Sequence, residues 1–167
     1  MEPLLLNAPA AERTTRYAHV REVIDSLLAD EDDWVSAMST VACELHHAFD
    51  YFHWTGFYRT VASRLLAVGP YQGGHGCLRI PFGRGVCGAA AQTQQVQRVD
   101  DVEAFAGHIA CSSTTRSELV VPVLGASGDT FAVLDVDSDH EAAFGEPDEA
   151  ALHDLCEMLG ARYGGAR

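Results

Sequence analysis

The chain has 167 residues, 47% of them hydrophobic and 21% charged, which is the composition of one folded domain and not of a disordered segment. Its 11 basic and 24 acidic residues leave a net charge of −13, and a surface that negative repels phosphate backbones, so neither nucleic acid nor an anionic membrane is an expected partner. All the basic residues are Arg, which excludes a Schiff-base lysine, hence ordinary pyridoxal-phosphate chemistry, and a lysine-bearing phosphate loop.

Nothing approaches 18 consecutive apolar residues, so no transmembrane helix is predicted. The segment 1–7 lacks a positive n-region and a long apolar run, so no secretory signal is expected and the cytoplasm is the expected location. Thiols are kept reduced there, and Cys43, Cys77, Cys87, Cys111 and Cys156 read as core residues, metal ligands or redox groups.

In chain order, residues 1–12 read as a loose tail and 13–167 as a single domain. Tyr17, Val20, Ile24, Leu27 and Leu28 recur at helical spacing, and Asp30 to Asp33 interrupts them and can cap a second helix carrying Trp34, Met38, Val41, Leu45 and Phe49. Residues 51–59 are aromatic-rich and predict a strand, with 64–71 as its hairpin partner. Gly73-Gly74-His75-Gly76 leads to Cys77, and Gly and Pro punctuate 79–85. A short helix is expected over 86–94 with Cys87 near its start, then a long loop over 100–115 holding His108 and Cys111. Strands are predicted over 118–124 and 130–138, and a last helix over 147–163. Hairpins with terminal helices predict an α+β domain, an antiparallel sheet with helices packed on it.

Two groups of residues invite chemistry. Side chains alternate along a strand, so Phe131, Val133, Asp135 and Asp137 share one face and Ala132, Leu134 and Val136 the other. Carboxylates that close raise one another's pKa, although a strand end that simply leaves the core would carry the same pattern. Cys77, Cys87 and Cys111 sit in glycine-rich or irregular segments, whereas Cys43 and Cys156 lie on helices and read as buried small hydrophobes. Packing, a zinc site completed by His75 or His108, and a redox set are all open for the loop cysteines. The zinc option lacks the usual pair of cysteines two residues apart. A redox thiolate could draw on Arg84, Arg116 or the start of the 86–94 helix, with His108 as a base three residues before Cys111. Trp54 and Tyr58, four apart on one strand face, read as core aromatics or as the wall of a small-ligand pocket. The stretch Gly83-Arg84-Gly85-Val86-Cys87-Gly88 lacks the lysine and preceding strand of a phosphate loop.

Several segments, taken in order, carry a family resemblance. They are Trp54-Thr55-Gly56-Phe57-Tyr58, Gly69-Pro70-Tyr71-Gln72-Gly73, Cys77-Leu78-Arg79-Ile80 and Gly83-Arg84-Gly85-Val86-Cys87-Gly88. Gly107-His108-Ile109-Ala110-Cys111, Ser117-Glu118-Leu119-Val120-Val121-Pro122 and Leu134-Asp135-Val136-Asp137-Ser138 follow. Over about residues 17–160 the chain resembles the free methionine-(R)-sulfoxide reductases, which are GAF-type domains, with its cysteines ten and then 24 residues apart. The resemblance implies a GAF-like antiparallel sheet of about six strands, the N- and C-terminal helices on one face and pocket-forming loops on the other. It implies Cys111 as nucleophile, Cys77 as resolving thiol and Cys87 as auxiliary thiol. Glu118, Asp135 and Asp137 match the family's pocket carboxylates, and Trp54 and Tyr58 its pocket aromatics. Ser112 replaces the Asp that typically follows the nucleophile, and the loop 73–76 lacks the family's usual Lys. The implied reaction is thiol-dependent reduction of free methionine-(R)-sulfoxide through a sulfenic acid and an intramolecular disulfide, reset by a thioredoxin-like reductant. No metal or organic cofactor is implied, and a homodimer is left open. The second reading is a non-catalytic GAF-type module that binds a small ligand or senses redox state, since a fold does not fix a function.

Overall fold

The computed structural model describes residues 2–107, 109 and 111–165. Its elements are helix α1 Ala10–Leu27, helix α2 Trp34–Ala48, strands β1 Trp54–Ala62, β2 Leu65–Gln72 and β3 Arg79–Pro81, helix α3 Gly85–Thr93, strands β4 Gln97–Val99, β5 Ser117–Leu124 and β6 Thr130–Ser138, and helix α4 Glu146–Tyr163. The strands form one six-stranded sheet in the order β3-β2-β1-β6-β5-β4, and every neighbouring pair is antiparallel. This is the expected α+β arrangement.

Each element has a local cause. Asp33 caps α2 by accepting from the Ser36 N–H at 2.7 Å. The buried stripe of α2, Met38, Val41, Ala42, Leu45 and Ala48, has the spacing of one helix face. Pro147 stands in the first turn of α4, where its missing N–H costs no hydrogen bond. The alternation of β6 divides the interior in two. Ala132, Leu134 and Val136 pack with α1, α2 and α4. Val133 packs on the opposite face with Trp54, Tyr58, Ile80 and α3. Phe131 departs from the expected alternation. It sits 5.2 Å from the Trp34 ring on the helix side, because β6 begins beside an irregularity in its pairing with β5.

Three further expectations need correction. The first residues are tied down rather than loose: the Leu4 N–H donates to Ala48 O at 2.8 Å, Asp50 N–H donates to Leu4 O at 3.0 Å, and α1 already begins at Ala10. Tyr51 and Phe52 precede β1 and are buried in the helix-side core. Cys43 is only half-buried, one position off the α2 stripe, 3.7 Å from His47 Nδ1, whereas Cys156 is buried as expected. Among the described residues no helix is long and apolar enough to cross a membrane.

One buried charge organises the helix side. Asp148, fully buried, accepts from Tyr17 Oη at 2.8 Å, Tyr51 Oη at 2.7 Å, Arg13 Nη1 at 2.6 Å and the Gly145 N–H at 2.8 Å. Four donors on one carboxylate satisfy nearly all its lone pairs and join α1, α4 and the lead into β1.

Candidate active site

On the other face of the sheet, strand register brings distant residues into rows. Trp54 pairs with Asp137, which pairs with Glu118 across β1, β6 and β5. One step along, Gly56 pairs with Asp135, which pairs with Val120. The two carboxylates of β6 and the one of β5 therefore meet over the middle of the sheet. Their oxygens lie within 4.8 Å of one another. Glu118 is 8% exposed and Asp135 5%.

The aromatics form the adjoining wall. Trp54 stacks on Tyr58 at 5.7 Å and on Tyr71 at 5.2 Å. Gly56 makes this possible, since a Cβ there would come within 2.3 Å of the Tyr71 Cβ and 2.8 Å of the Trp54 ring. Trp54 Nε1 donates to Gly74 O at 3.2 Å, which fixes the ring. Tyr58 Oη accepts from the Cys77 N–H, and burial followed by the charge of Asp135 holds its hydroxyl protonated.

The loops close the site. Cys77 and Cys111 are joined in a disulfide with a Cα–Cα distance of 5.3 Å. Gly85 opens α3 at φ +61°, a left-handed conformation that glycine adopts freely, and any Cβ there would press on Ile109 at 3.3 Å. Cys87, buried in the first turn of α3, donates its thiol to Asp135. The pocket wall comprises Trp54, Tyr58, Arg84, Cys87, Cys111 and the three carboxylates, with His75 at the rim. The space left among them is about 30 Å³, room for a few waters at most. A larger groove, about 670 Å³ around Thr60, Arg64, Phe82 and Gln92, carries no thiol.

Burial drives the electrostatics. Glu118 is pushed up to about 9, first by desolvation and then by the charge and hydrogen bond of Asp137. Desolvation also raises Asp135 and Asp137, with Glu118 adding to the first and Asp135 to the second. Like charges directly opposite on neighbouring strands repel, and a proton on Glu118 donated to Asp137 converts that repulsion into a hydrogen bond. Asp135 Oδ1 and Asp137 Oδ1 are buried and accept no hydrogen bond among the described residues. The three oxygens are close enough for a hard cation, yet desolvation raises all three carboxyls, which disfavours the charged set that a metal cage needs. The exposed group of His153, Asp154 and Glu157 on α4 is the other such cluster among the described residues, and it is remote from every thiol of the pocket.

The structure thus gathers Trp54, Tyr58, Cys77, Cys87, Cys111, Glu118, Asp135 and Asp137 in one place. Of the activators open to a redox thiolate, the start of α3 does not act on Cys87: burial and Asp135 push that thiol up. Arg116 is not among the residues that line the pocket, and its Nη1 lies 3.7 Å from Glu103, while Arg84 is on the pocket wall. The zinc alternative fails for Cys77 and Cys111, whose sulfurs bond to each other. His108 lies outside the described residues. Ile80, Val86 and Ile109 also line the pocket. Their one sequence signal was that they flank glycines and cysteines in aperiodic segments.

Comparison with known proteins agrees with this geometry. The GAF domain family model matches residues 20–163. The chain is 37% identical over 147 residues to a free methionine-R-sulfoxide reductase of Escherichia coli, covering 88% of each, and 36% identical over 151 residues to one of Saccharomyces cerevisiae, covering 83% of this chain and 84% of the other. The X-ray structure of a free methionine-R-sulfoxide reductase from Neisseria meningitidis in complex with its substrate superposes with a TM-score of 0.86 at 43% identity, covering 98% of this chain and 96% of the other.

Proposed function

The chain belongs to the free methionine-(R)-sulfoxide reductase family of GAF-domain proteins, and on that footing we propose that it reduces free L-methionine-(R)-sulfoxide to L-methionine with Cys111 as nucleophile and Cys77 as resolving thiol. The observation that carries this reading is the set of three carboxylates, Glu118 and Asp135 buried and Asp137 half-buried, sharing a pocket wall with Cys111, itself disulfide-bonded to Cys77. A sulfoxide oxygen is a poor leaving group until protonated, and Glu118 holds a proton up to about pH 9. The Cys111 thiolate attacks the sulfoxide sulfur as the pocket carboxyl protonates the oxygen. Methionine departs, the oxygen stays on Cys111 as a sulfenic acid, and the Cys77 thiol condenses with it, releasing water and forming the disulfide. Two electrons and two protons from an external dithiol, thioredoxin in this reading, restore both thiols.

The bare acceptors Asp135 Oδ1 and Asp137 Oδ1 suit the ammonium of a free amino acid, and the flat Trp54 ring suits its S-methyl group. Cys87 serves here first as a hydrogen-bond donor to Asp135, and acts as auxiliary thiol only when Cys77 is missing. With the disulfide closed the pocket is too small for an amino acid, so substrate enters after reduction frees the Cys111 segment. The test is thiol-dependent methionine release from the separated R and S epimers of free methionine sulfoxide and from peptide-bound sulfoxide. Turnover of the free R epimer with little of the others is expected. Equal rates on peptide-bound sulfoxide overturn the enclosed-pocket reading, and no turnover on any favours a non-catalytic ligand-binding module.

A further inference from the structure

The two cysteines of the disulfide stand differently to the pocket. Cys111 belongs to the pocket wall with Arg84 and the carboxylates, whereas Cys77 is not part of that lining and is followed at once by Leu78. Leu78 is 71% exposed, more than any other large hydrophobic residue among those described. Its carbonyl accepts from the Val68 N–H at 3.3 Å and from Arg79 Nη1 at 2.8 Å, so backbone and guanidinium are held on one ledge. The ledge runs into β3, the outermost strand of the sheet, whose far edge has no neighbouring strand among the described residues. Arg79 is exposed, a local cation on a chain of net charge −13.

We infer that the ledge formed by Leu78 and Arg79 beside Cys77 is the docking surface for the dithiol protein that reduces this enzyme, and that the partner's thiolate attacks Cys77 Sγ. This rests on the reductase reading above. An exposed leucine next to half-buried Cys77 presents apolar area where a partner must bring its own thiol, and Arg79 would suit an acidic rim on that partner. Attack forms a bond between the partner's sulfur and Cys77 Sγ and breaks the Cys77–Cys111 bond, and Cys111 leaves as a thiolate on the wall it shares with Arg84. A leaving thiolate stabilised by a nearby cation departs faster, which favours this direction of attack. The partner's second thiol then attacks its own mixed-disulfide sulfur, freeing Cys77 as a thiol. The partner ends oxidised by two electrons and the enzyme ends with two thiols.

The experiment compares Leu78→Asp and wild type in steady-state reduction of free methionine-(R)-sulfoxide, driven either by thioredoxin or by dithiothreitol, which needs no docking surface. A rise of about 10-fold or more in KM for thioredoxin is expected, the loss typical of an anchor residue, with the dithiothreitol-driven rate within about twofold. A second measurement needs no variant of this chain. Thioredoxin lacking its second cysteine should be trapped by the oxidised protein as a mixed disulfide, and peptide mass spectrometry should place it on Cys77. Unchanged KM for thioredoxin, an equal loss with both reductants, or trapping on Cys111 each overturn the inference. Absence of methionine release by wild type with either reductant instead sinks the reductase reading beneath it.

Discussion

Two buried aspartate sites face each other across the sheet, and they behave oppositely. On the helix side, Asp148 is surrounded by four donors and is a finished hydrogen-bonding centre. On the pocket side, Asp135 and Asp137 are surrounded by other acids, and each keeps a buried oxygen that accepts no hydrogen bond among the described residues. The same side chain is structural where donors surround it and open to chemistry where other acids do. A protein retains the second, costlier arrangement where a ligand or a proton completes it.

The strongest break of this comparison is at the thiol beside the acids. Cys111→Ser is expected to abolish methionine release, while Cys77→Ser should still release about one equivalent per enzyme, because the sulfenic acid forms before resolution. Single-turnover methionine assays on pre-reduced protein, with mass spectrometry of the products, distinguish the two. A full burst from Cys111→Ser means that another cysteine is the nucleophile.

Next in size are the acids themselves. Glu118→Gln or Asp137→Asn should lower the rate on the order of 10²–10⁴-fold, the usual range for a lost acid–base group. Unchanged rates in both variants would return the carboxylates to a binding or surface role.

Asp148→Ala tests the other side. It leaves the hydroxyls of Tyr17 and Tyr51 and the guanidinium of Arg13 without their shared acceptor, and a loss of about 3–5 kcal/mol in unfolding free energy is expected. Denaturant unfolding measures it, and the rate per folded molecule should stay near wild type.

The sign of the stability effect should reverse at the pocket. Burial and neighbouring charge raise Glu118 to about 9 in the folded protein, so the fold binds a proton that the unfolded chain loses above the ordinary carboxylate range. The fold is therefore favoured most at low pH, and this contribution declines as pH rises toward 9. Glu118→Gln removes the penalty and should raise stability at pH 8 by about 1–3 kcal/mol, with little difference at pH 4. Thermal unfolding at the two pH values checks this, and turnover by wild type should fall on the alkaline side as Glu118 loses its proton.

The smallest effects belong to the helix cysteines. Cys43→Ser and Cys156→Ser should leave methionine release unchanged. Only buried Cys156 should cost stability, about 1 kcal/mol or somewhat more for an unsatisfied hydroxyl in the core, while half-buried Cys43 stays near neutral.

Much of this was legible from residue order. Periodicity located α1 and α2, because each buries one face and so repeats at 3.6, whereas α3 was legible from its small residues and the long strands from aromatic or apolar runs between turn residues. β3 and β4 were not separable as strands, since three residues carry no period and pair only because β2 and β5 offer an edge. Tyr51 and Phe52 read as strand because aromatics favour sheets, yet they end in the helix-side core, where Tyr51 reaches Asp148. The expected burial of Cys43 failed for a comparable reason, as composition does not say on which side of a helix stripe a residue one step away will fall.

By itself the sequence determined which residues could do chemistry, through thiols in aperiodic loops and carboxylates two apart on a strand, and the ordered segments pointed to the family. Only the tertiary structure decided that Glu118 stands opposite Asp137 and that the Cys87 thiol donates a hydrogen bond to Asp135, and it closes the Cys77–Cys111 bond that the resemblance implied. Those outcomes depend on strand register and on the path of loops between residues 19 to 48 positions apart. Register and loop path are set by packing against the whole sheet, which no local pattern encodes.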